Sequence, residues 1–140
     1  MYLYIKMINL KLSSLDHVVL NVADAERSVA FYAGVLGLRP ERLAEFRSGR
    51  VPFPSVRISE TTIVDFLDPS HREPAPTNRN LNHVALLLDN APSQIAAFLR
   101  DRGLPVVREM TGNFGAQGDT AHSFHICDPD GNLLELQAYE

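Results

Sequence analysis

The chain says nearly the same thing twice. Leu15-Asp16-His17-Val18-Val19-Leu20 returns as Leu81-Asn82-His83-Val84-Ala85-Leu86 at an offset of 66 residues. That offset runs on without a gap through Ala25/Ala91, Val29/Ile95, Ala30/Ala96, Tyr32/Phe98, Gly37/Gly103 and Leu38/Leu104. A repeated unit narrows the possible folds sharply, because whatever one copy forms the other must form too, and a small unit buries its apolar face only against a neighbour. The chain is therefore one pair of related modules and not a string of unrelated elements.

Each module reads as a strand, a helix and further strands. Residues 15–22 are apolar and β-branched, the signature of a strand. Asp24 is placed to cap a helix from Ala25 to Leu36, and Gly37 to stop it. Extended segments are predicted at Glu41–Arg47, at Val51–Ser59 (limited by Pro52 and Pro54 to an edge or bulge) and at Thr61–Leu67. Asp68 to Asn80, with three prolines among polar residues, reads as a linker. Beyond it the second helix is predicted from Pro92 to Arg102, then a strand at Val106–Met110 and a loop carrying Gly112, Gly115 and Gly118. Ile63-Val64-Asp65-Phe66-Leu67 matches Leu133-Leu134-Glu135-Leu136-Gln137. The prediction is an α+β fold of tandem β-α-β-β-β modules. Residues 1–14 form an extension, 15–67 the first module, 68–80 the linker and 81–139 the second module. A sheet of this size cannot bury itself, so the two modules must pair.

The sharpest local prediction concerns Asp128-Pro129-Asp130-Gly131. Proline at the second place of a type I turn, followed by a glycine that accepts positive φ, makes a three-residue hairpin loop with a bulge. Asp128 then faces Asn132, Cys127 faces Leu133, Ile126 faces Leu134, and His125 faces Glu135. A loop without the bulge would shift that register by one and set Phe124 against Glu135; it ranks second, because Gly131 sits where the bulge needs it. Alternation makes Phe124, Ile126, Leu134, Leu136 and Ala138 a packing face. The opposite face collects Ser123, His125, Cys127, Leu133, Glu135, Gln137 and Tyr139.

Composition excludes several functions. With 140 residues, 45 % hydrophobic and 21 % charged, the chain suits one globular domain. A net charge of −4 with interspersed signs and no basic stripe argues against a nucleic-acid partner. One cysteine excludes an internal disulfide framework and fits a reducing cytoplasm. No apolar run approaches the roughly 20 residues of a membrane span, and the opening MYLYIKMINLKL is not built as a signal peptide.

The duplication pairs His17 with His83 and Asp65 with Glu135. Were two modules to join their sheets into one curved cup, all four positions could converge inside it. Two imidazoles and one or two carboxylates around an open position suit one divalent ion: Fe, Mn, Ni, Zn or Co. Singly, each histidine has a plainer account as a hydrogen-bonded core residue; it is the matched placement in both modules that favours ligands. His125, opposite Glu135, is either a proton carrier beside bound substrate or a hydrogen-bond partner that orients the carboxylate. His122 and His71 read as structural or surface residues, and Cys127 as a small buried hydrophobe. The glycine-rich loop is flexible enough for a lid.

These residues resemble the vicinal oxygen chelate superfamily, which includes glyoxalase I, type I extradiol dioxygenases, fosfomycin-resistance enzymes and bleomycin-resistance proteins. The matching stretches are LDHVVLNVAD (15–24), AFYAGVLGL (30–38), LNHVAL (81–86) and DPDGNLLEL (128–136), so the likeness spans about Leu15 to Tyr139. It implies paired modules forming a curved, mostly antiparallel open barrel. It also implies a metal held by His17, His83 and Glu135, with Asp65 as fourth ligand in the glyoxalase branch.

No single branch matches throughout. Glyoxalase I carries Glu where Asp65 stands, and its short bacterial forms an Arg at the place of Asn21. Extradiol dioxygenases have a Tyr where His125 stands and a catalytic His at Ala116. Fosfomycin enzymes need an Arg beyond the ligand Glu, which is missing after Glu135. Bleomycin-resistance proteins lack the metal set. The resemblance therefore favours a metal-dependent glyoxalase-like lyase or isomerase that chelates a small-molecule substrate through vicinal oxygens. His125 and Glu135 would be catalytic, and Asn21, Gln137 and Tyr139 substrate contacts. A ring-cleaving dioxygenase and a non-catalytic drug-binding protein are the alternatives. Four open sheet edges and the analogy imply a homodimer.

Overall fold

The computed structural model describes residues 11, 13–70 and 81–140. His71, most of the linker and most of the N-terminal extension therefore lie outside the described residues. Two four-stranded sheets form, one per module. The first module runs β1 (His17–Asn21), α1 (Ala25–Val29), β2 (Arg39–Glu41), α2 (Leu43–Arg47), β3 (Ser55–Arg57) and β4 (Ile63–Leu67). The second runs β5 (Val84–Leu87), α3 (Pro92–Asp101), β6 (Arg108–Thr111), β7 (Phe114–Gly115), β8 (Gly118–Asp119), β9 (His122–Cys127) and β10 (Leu133–Ala138). The sheet orders are β1-β4-β3-β2 and β5-β10-β9-β6, so the duplicated sequence gives duplicated topology. In each sheet the first strand lies parallel to the last, and the other pairings are antiparallel.

Local chemistry explains the elements. Asp24 accepts a hydrogen bond from the Arg27 backbone N–H at 3.2 Å, the cap read from the sequence. After Val29 the helix widens into a π-helical stretch, Ala30–Val35, and ends at Gly37, whose φ of 81° only glycine adopts freely. The Asp128–Gly131 turn takes the predicted bulged register, with His125 opposite Glu135 and Cys127 opposite Leu133.

Two sequence expectations fail. Glu41–Arg47 is not a strand: the chain leaves β2 after Glu41, turns at Arg42 with φ 59°, and coils into α2. Leu43 and Phe46, three apart, place their side chains against the core, a helical spacing that outweighs extended propensity. Cys127 is exposed, because it ends β9 on the face turned away from the core.

Both packing faces share one core. Leu20, Val22, Val56, Val64 and Phe66 of the first module and Phe124, Ile126, Leu134 and Leu136 of the second are all buried in it. Helix residues Val29, Tyr32, Ile95 and Leu99 complete it. Tyr32 packs on Phe66 with ring centroids 4.9 Å apart and donates a 2.8 Å hydrogen bond to Asp128. Arg27 pairs with Asp130 at 3.0 Å. The first helix is thus tethered to the turn that fixes the second module's register. Each sheet turns its other face away from this core, and the two sheets share no strand pairing. Among the described residues no helix is long and apolar enough to cross a membrane.

Candidate metal centre

The outward face of the second sheet holds the strongest ligand cluster. Glu135 sits in β10 between β5 and β9, opposite Ala85 on one side and His125 on the other. His83 immediately precedes β5. His83 Nε2 lies 3.1 Å from Glu135 Oε2, and His125 Nε2 lies 3.8 Å from the same oxygen. One ligand atom from each of His83, His125 and Glu135 falls within 4.8 Å of the others. Bonds of about 2.0–2.2 Å to a divalent ion need donors somewhat closer than that, a small contraction. His125 and Glu135 are buried, both 5 % exposed, while His83 is open to solvent.

The surroundings prepare these atoms for an ion. His83 Nδ1 lies 2.6 Å from Asn82 Oδ1. An Nδ1–H donated to Asn82 Oδ1 would leave the Nε2 lone pair for a cation beside Glu135, the arrangement in which imidazole binds metals. Asn113 donates to Glu135 Oε1 at 3.2 Å, so one carboxylate oxygen is held and the other faces the histidines. His125 Nδ1 is buried without a partner. A His₂-carboxylate set with His125 and Glu135 buried and His83 open to solvent has the donor types that suit a divalent ion.

His17 and Asp65 occupy the equivalent positions of the first sheet. Val19 pairs with Asp65, and Asp65 pairs with Ser55, whose hydroxyl donates to the carboxylate. His17 Nδ1 lies 2.7 Å from Asp16, again engaging the nitrogen that Asn82 engages in the other module. The Asp16 hydrogen bond, helped by the nearby Asp65 charge, raises the His17 pKa above its ordinary value. Within one chain His17 and Asp65 do not join the His83–His125–Glu135 cluster. The reason is the shared core: the two ligand-bearing faces look outward from it on different sheets.

The remaining sequence candidates divide. Asn21 is exposed at the end of β1 and Gln137 lies on the same face as Glu135. The Tyr139 hydroxyl accepts from the Gln117 backbone N–H at 2.8 Å. Gly115 lies so close against the Tyr139 ring that a Cβ there would collide with it. The glycine-rich segment is thereby folded as the β7–β8 hairpin, with Asn113 at its base reaching Glu135 and Phe114 projecting 91 % exposed. Asn113 is the residue that sequence reasoning missed. It lies 22 positions from Glu135 in a loop without periodicity, and no local pattern marks it.

An apolar cavity of about 270 Å³, lined by Leu36, Leu38, Ile58, Leu86 and Phe98 among others, lies between the modules. Among the described residues its walls hold no His, Asp, Glu or Cys to ligate an ion.

Comparison with known proteins agrees with this architecture. The family model described as the Glyoxalase/Bleomycin resistance protein/Dioxygenase superfamily matches residues 14–136. Virulence protein STM3117 of Salmonella typhimurium is 25 % identical over 138 residues, covering 99 % of this chain and 92 % of that protein. A protein of the same organism named lactoylglutathione lyase is 31 % identical over 123 residues, covering 86 % and 88 %. Among solved structures, an integron cassette protein from the mobile metagenome of Vibrio cholerae superposes with a TM-score of 0.73 at 27 % identity, covering 95 % of this chain and all of that one. With the βαβββ duplication, the open sheets and a family match over most of its length, the chain belongs to the Glyoxalase/Bleomycin resistance protein/Dioxygenase superfamily.

Proposed function

We propose that the chain is a divalent-metal-dependent enzyme, a glyoxalase-like lyase or isomerase whose small substrate chelates the ion through two vicinal oxygens. The observation that carries this is the convergence of His83, His125 and Glu135 within 4.8 Å on an outward sheet face. His83 Nε2 and Glu135 Oε2 would hold the ion, aided by Asn82 and Asn113, which fix the ring tautomer and the carboxylate. A bound divalent ion supplies polarisation of the substrate oxygens and stabilises negative charge that develops on them. His125 lies across from Glu135 and would take or return a proton at Nε2 beside the substrate.

His17 and Asp65 would be contributed by a second copy. The duplication makes them the counterparts of His83 and Glu135, and within one chain they lie outside the His83–His125–Glu135 cluster. Among the described residues β1 and β5 are outer strands of their sheets, and exposed apolar residues stand in them or just before them: Leu15, Val19, Leu81 and Leu87. Such edges are stabilised by association, and a homodimer joining β1 of one copy to β5 of the other would bring the four ligands together. The likeness to a protein named lactoylglutathione lyase and the acid at Asp65 favour lyase or isomerase chemistry over ring cleavage.

The test is elemental analysis of purified protein with its Glu135→Ala variant, beside size measurement in solution. Stoichiometric Ni, Zn, Mn, Co or Fe in a dimer, lost with Glu135→Ala, supports the proposal. A metal-free protein after exposure to all five contradicts it and points to a ligand-binding protein. Iron as the sole ion taken up would favour dioxygenase chemistry.

A further inference from the structure

We propose that Arg108 is the anion-binding residue of this site, and that the substrate carries a second anionic group besides the two oxygens it offers the ion. The inference rests on the metal reading above and extends it to substrate class. Arg108 in β6 pairs directly with His125, which pairs directly with Glu135. Residues in direct cross-strand register share a face, so all three form one row on the ligand-bearing side of the sheet. Two strand spacings of about 4.8 Å separate the Arg108 backbone from that of Glu135, a span that the long arginine side chain shortens. The Arg108 backbone therefore lies beyond His125 from Glu135, and its side chain is long enough to reach over that row.

This cation is unspent. Among the described residues Arg108 has no hydrogen bond or ion pair. The neighbouring acid, Glu109, belongs to the opposite face and is engaged by His122 at 3.2 Å. The first module shows what the same place does when it is structural. There Glu41 pairs with Ser55 and Ser55 with Asp65, the counterpart of the Arg108–His125–Glu135 row. Glu41 is held by Arg57 at 2.7 Å and Arg39 at 2.9 Å, and those hydrogen bonds keep its carboxyl below the usual carboxylate range. Between the modules the row changes from a neutralised acid to an unpaired guanidinium. A planar fork of donors suits a carboxylate or a phosphate-type oxyanion, bound through paired hydrogen bonds. The substrate this row accepts joins a chelating end to an oxyanion one or two carbons further on.

The probes are 2-oxo acids, whose carboxylate and ketone supply the vicinal oxygens. Co²⁺-loaded protein is titrated calorimetrically with 2-oxoglutarate and with 2-oxopentanoate, which lacks the second carboxylate. A second arm compares 3-phosphonopyruvate with pyruvate and tells a phosphonate from a carboxylate. Wild-type protein is expected to favour at least one ligand carrying the second anionic group over its counterpart without it by about tenfold or more. Arg108→Gln is expected to erase that preference while Co²⁺ stoichiometry is retained, and Arg108→Lys to keep part of it. Equal affinities, a preference that survives Arg108→Gln, or no binding of any 2-oxo acid to the loaded protein overturns this inference alone. Arg108 would then be an edge-strand charge that discourages strand pairing. Failure to take up Co²⁺ or any of the other four ions overturns the metal reading and this inference with it.

Discussion

At the residue scale, the centre depends on pairs in which one side chain prepares another. Asn82 and Asp16, each preceding its histidine, both engage Nδ1, so the duplication preserved the orienting partner along with the ring. Asn113 does the same for Glu135. Substituting a group that orients a ligand characteristically lowers metal affinity about 10–100-fold without abolishing it. Asn113→Ala is expected to fall in that range by competition titration, whereas Glu135→Ala should leave no tight site. Affinity unchanged in Asn113→Ala would mean that the 3.2 Å contact does not position the carboxylate.

Tyr32 is the structural counterpart of these pairs. Burial, with the charge and hydrogen bond of Asp128 adding to it, raises its pKa far above the ordinary phenol value. A raised folded pKa means that Tyr32 contributes stability that is whole below the unfolded value of about 10 and is lost as pH climbs beyond it. Tyr32→Phe should therefore cost about 1–2 kcal/mol in denaturant unfolding at neutral pH. It should also flatten the fall in stability above about pH 10. An alkaline limb as steep in Tyr32→Phe as in the wild type would assign that fall to other groups.

At the scale of elements, what could be read early was what short-range chemistry dictates. Asp128-Pro129-Asp130-Gly131 specifies its own turn, and the turn specifies the register, which puts His125 opposite Glu135 with no reference to the rest of the fold. Asp24 likewise announces its helix. Leu43-Ala44-Glu45-Phe46-Arg47 was misread because five residues are too few for periodicity to separate helix from strand, and contact of Leu43 and Phe46 with the core decides. The β7–β8 hairpin has a similar cause. In the second module it fills the interval between second and third strands that α2 fills in the first, so duplication gave no template for it. Its anchor is Gly115 against Tyr139. Gly115→Ala must push the hairpin off the ring, and with it Asn113 off Glu135. Weaker metal binding is expected, together with faster hydrogen exchange of the Gln117 amide, which now donates to Tyr139. Normal exchange and normal affinity in Gly115→Ala would show that the hairpin does not steady the site.

At the scale of the whole molecule, the duplication marks the candidate ligands and leaves their assembly open. Sequence symmetry pairs His17 with His83 and Asp65 with Glu135, but it says nothing about which faces share a core. The structure spends both packing faces on one common interior, and among the described residues of one chain only His83, His125 and Glu135 come together as candidate ligands. On the proposed dimer the exposed apolar side chains of Val19 in β1 and Leu87 in β5 would be covered. Val19→Asp or Leu87→Asp, placing a charge where the edges would meet, should shift the protein toward monomer in sedimentation velocity and reduce metal uptake in parallel. Monomers that keep full metal content would place the whole centre within one chain.

The most direct test is a metal count by equilibrium dialysis and elemental analysis on the wild type, His17→Ala and Glu135→Ala. The account predicts one ion per chain in the wild type and a severe loss of tight binding in both variants, one from each half-site. Full occupancy in Glu135→Ala, or a wild-type protein that takes up no ion when all five candidates are supplied, would contradict it.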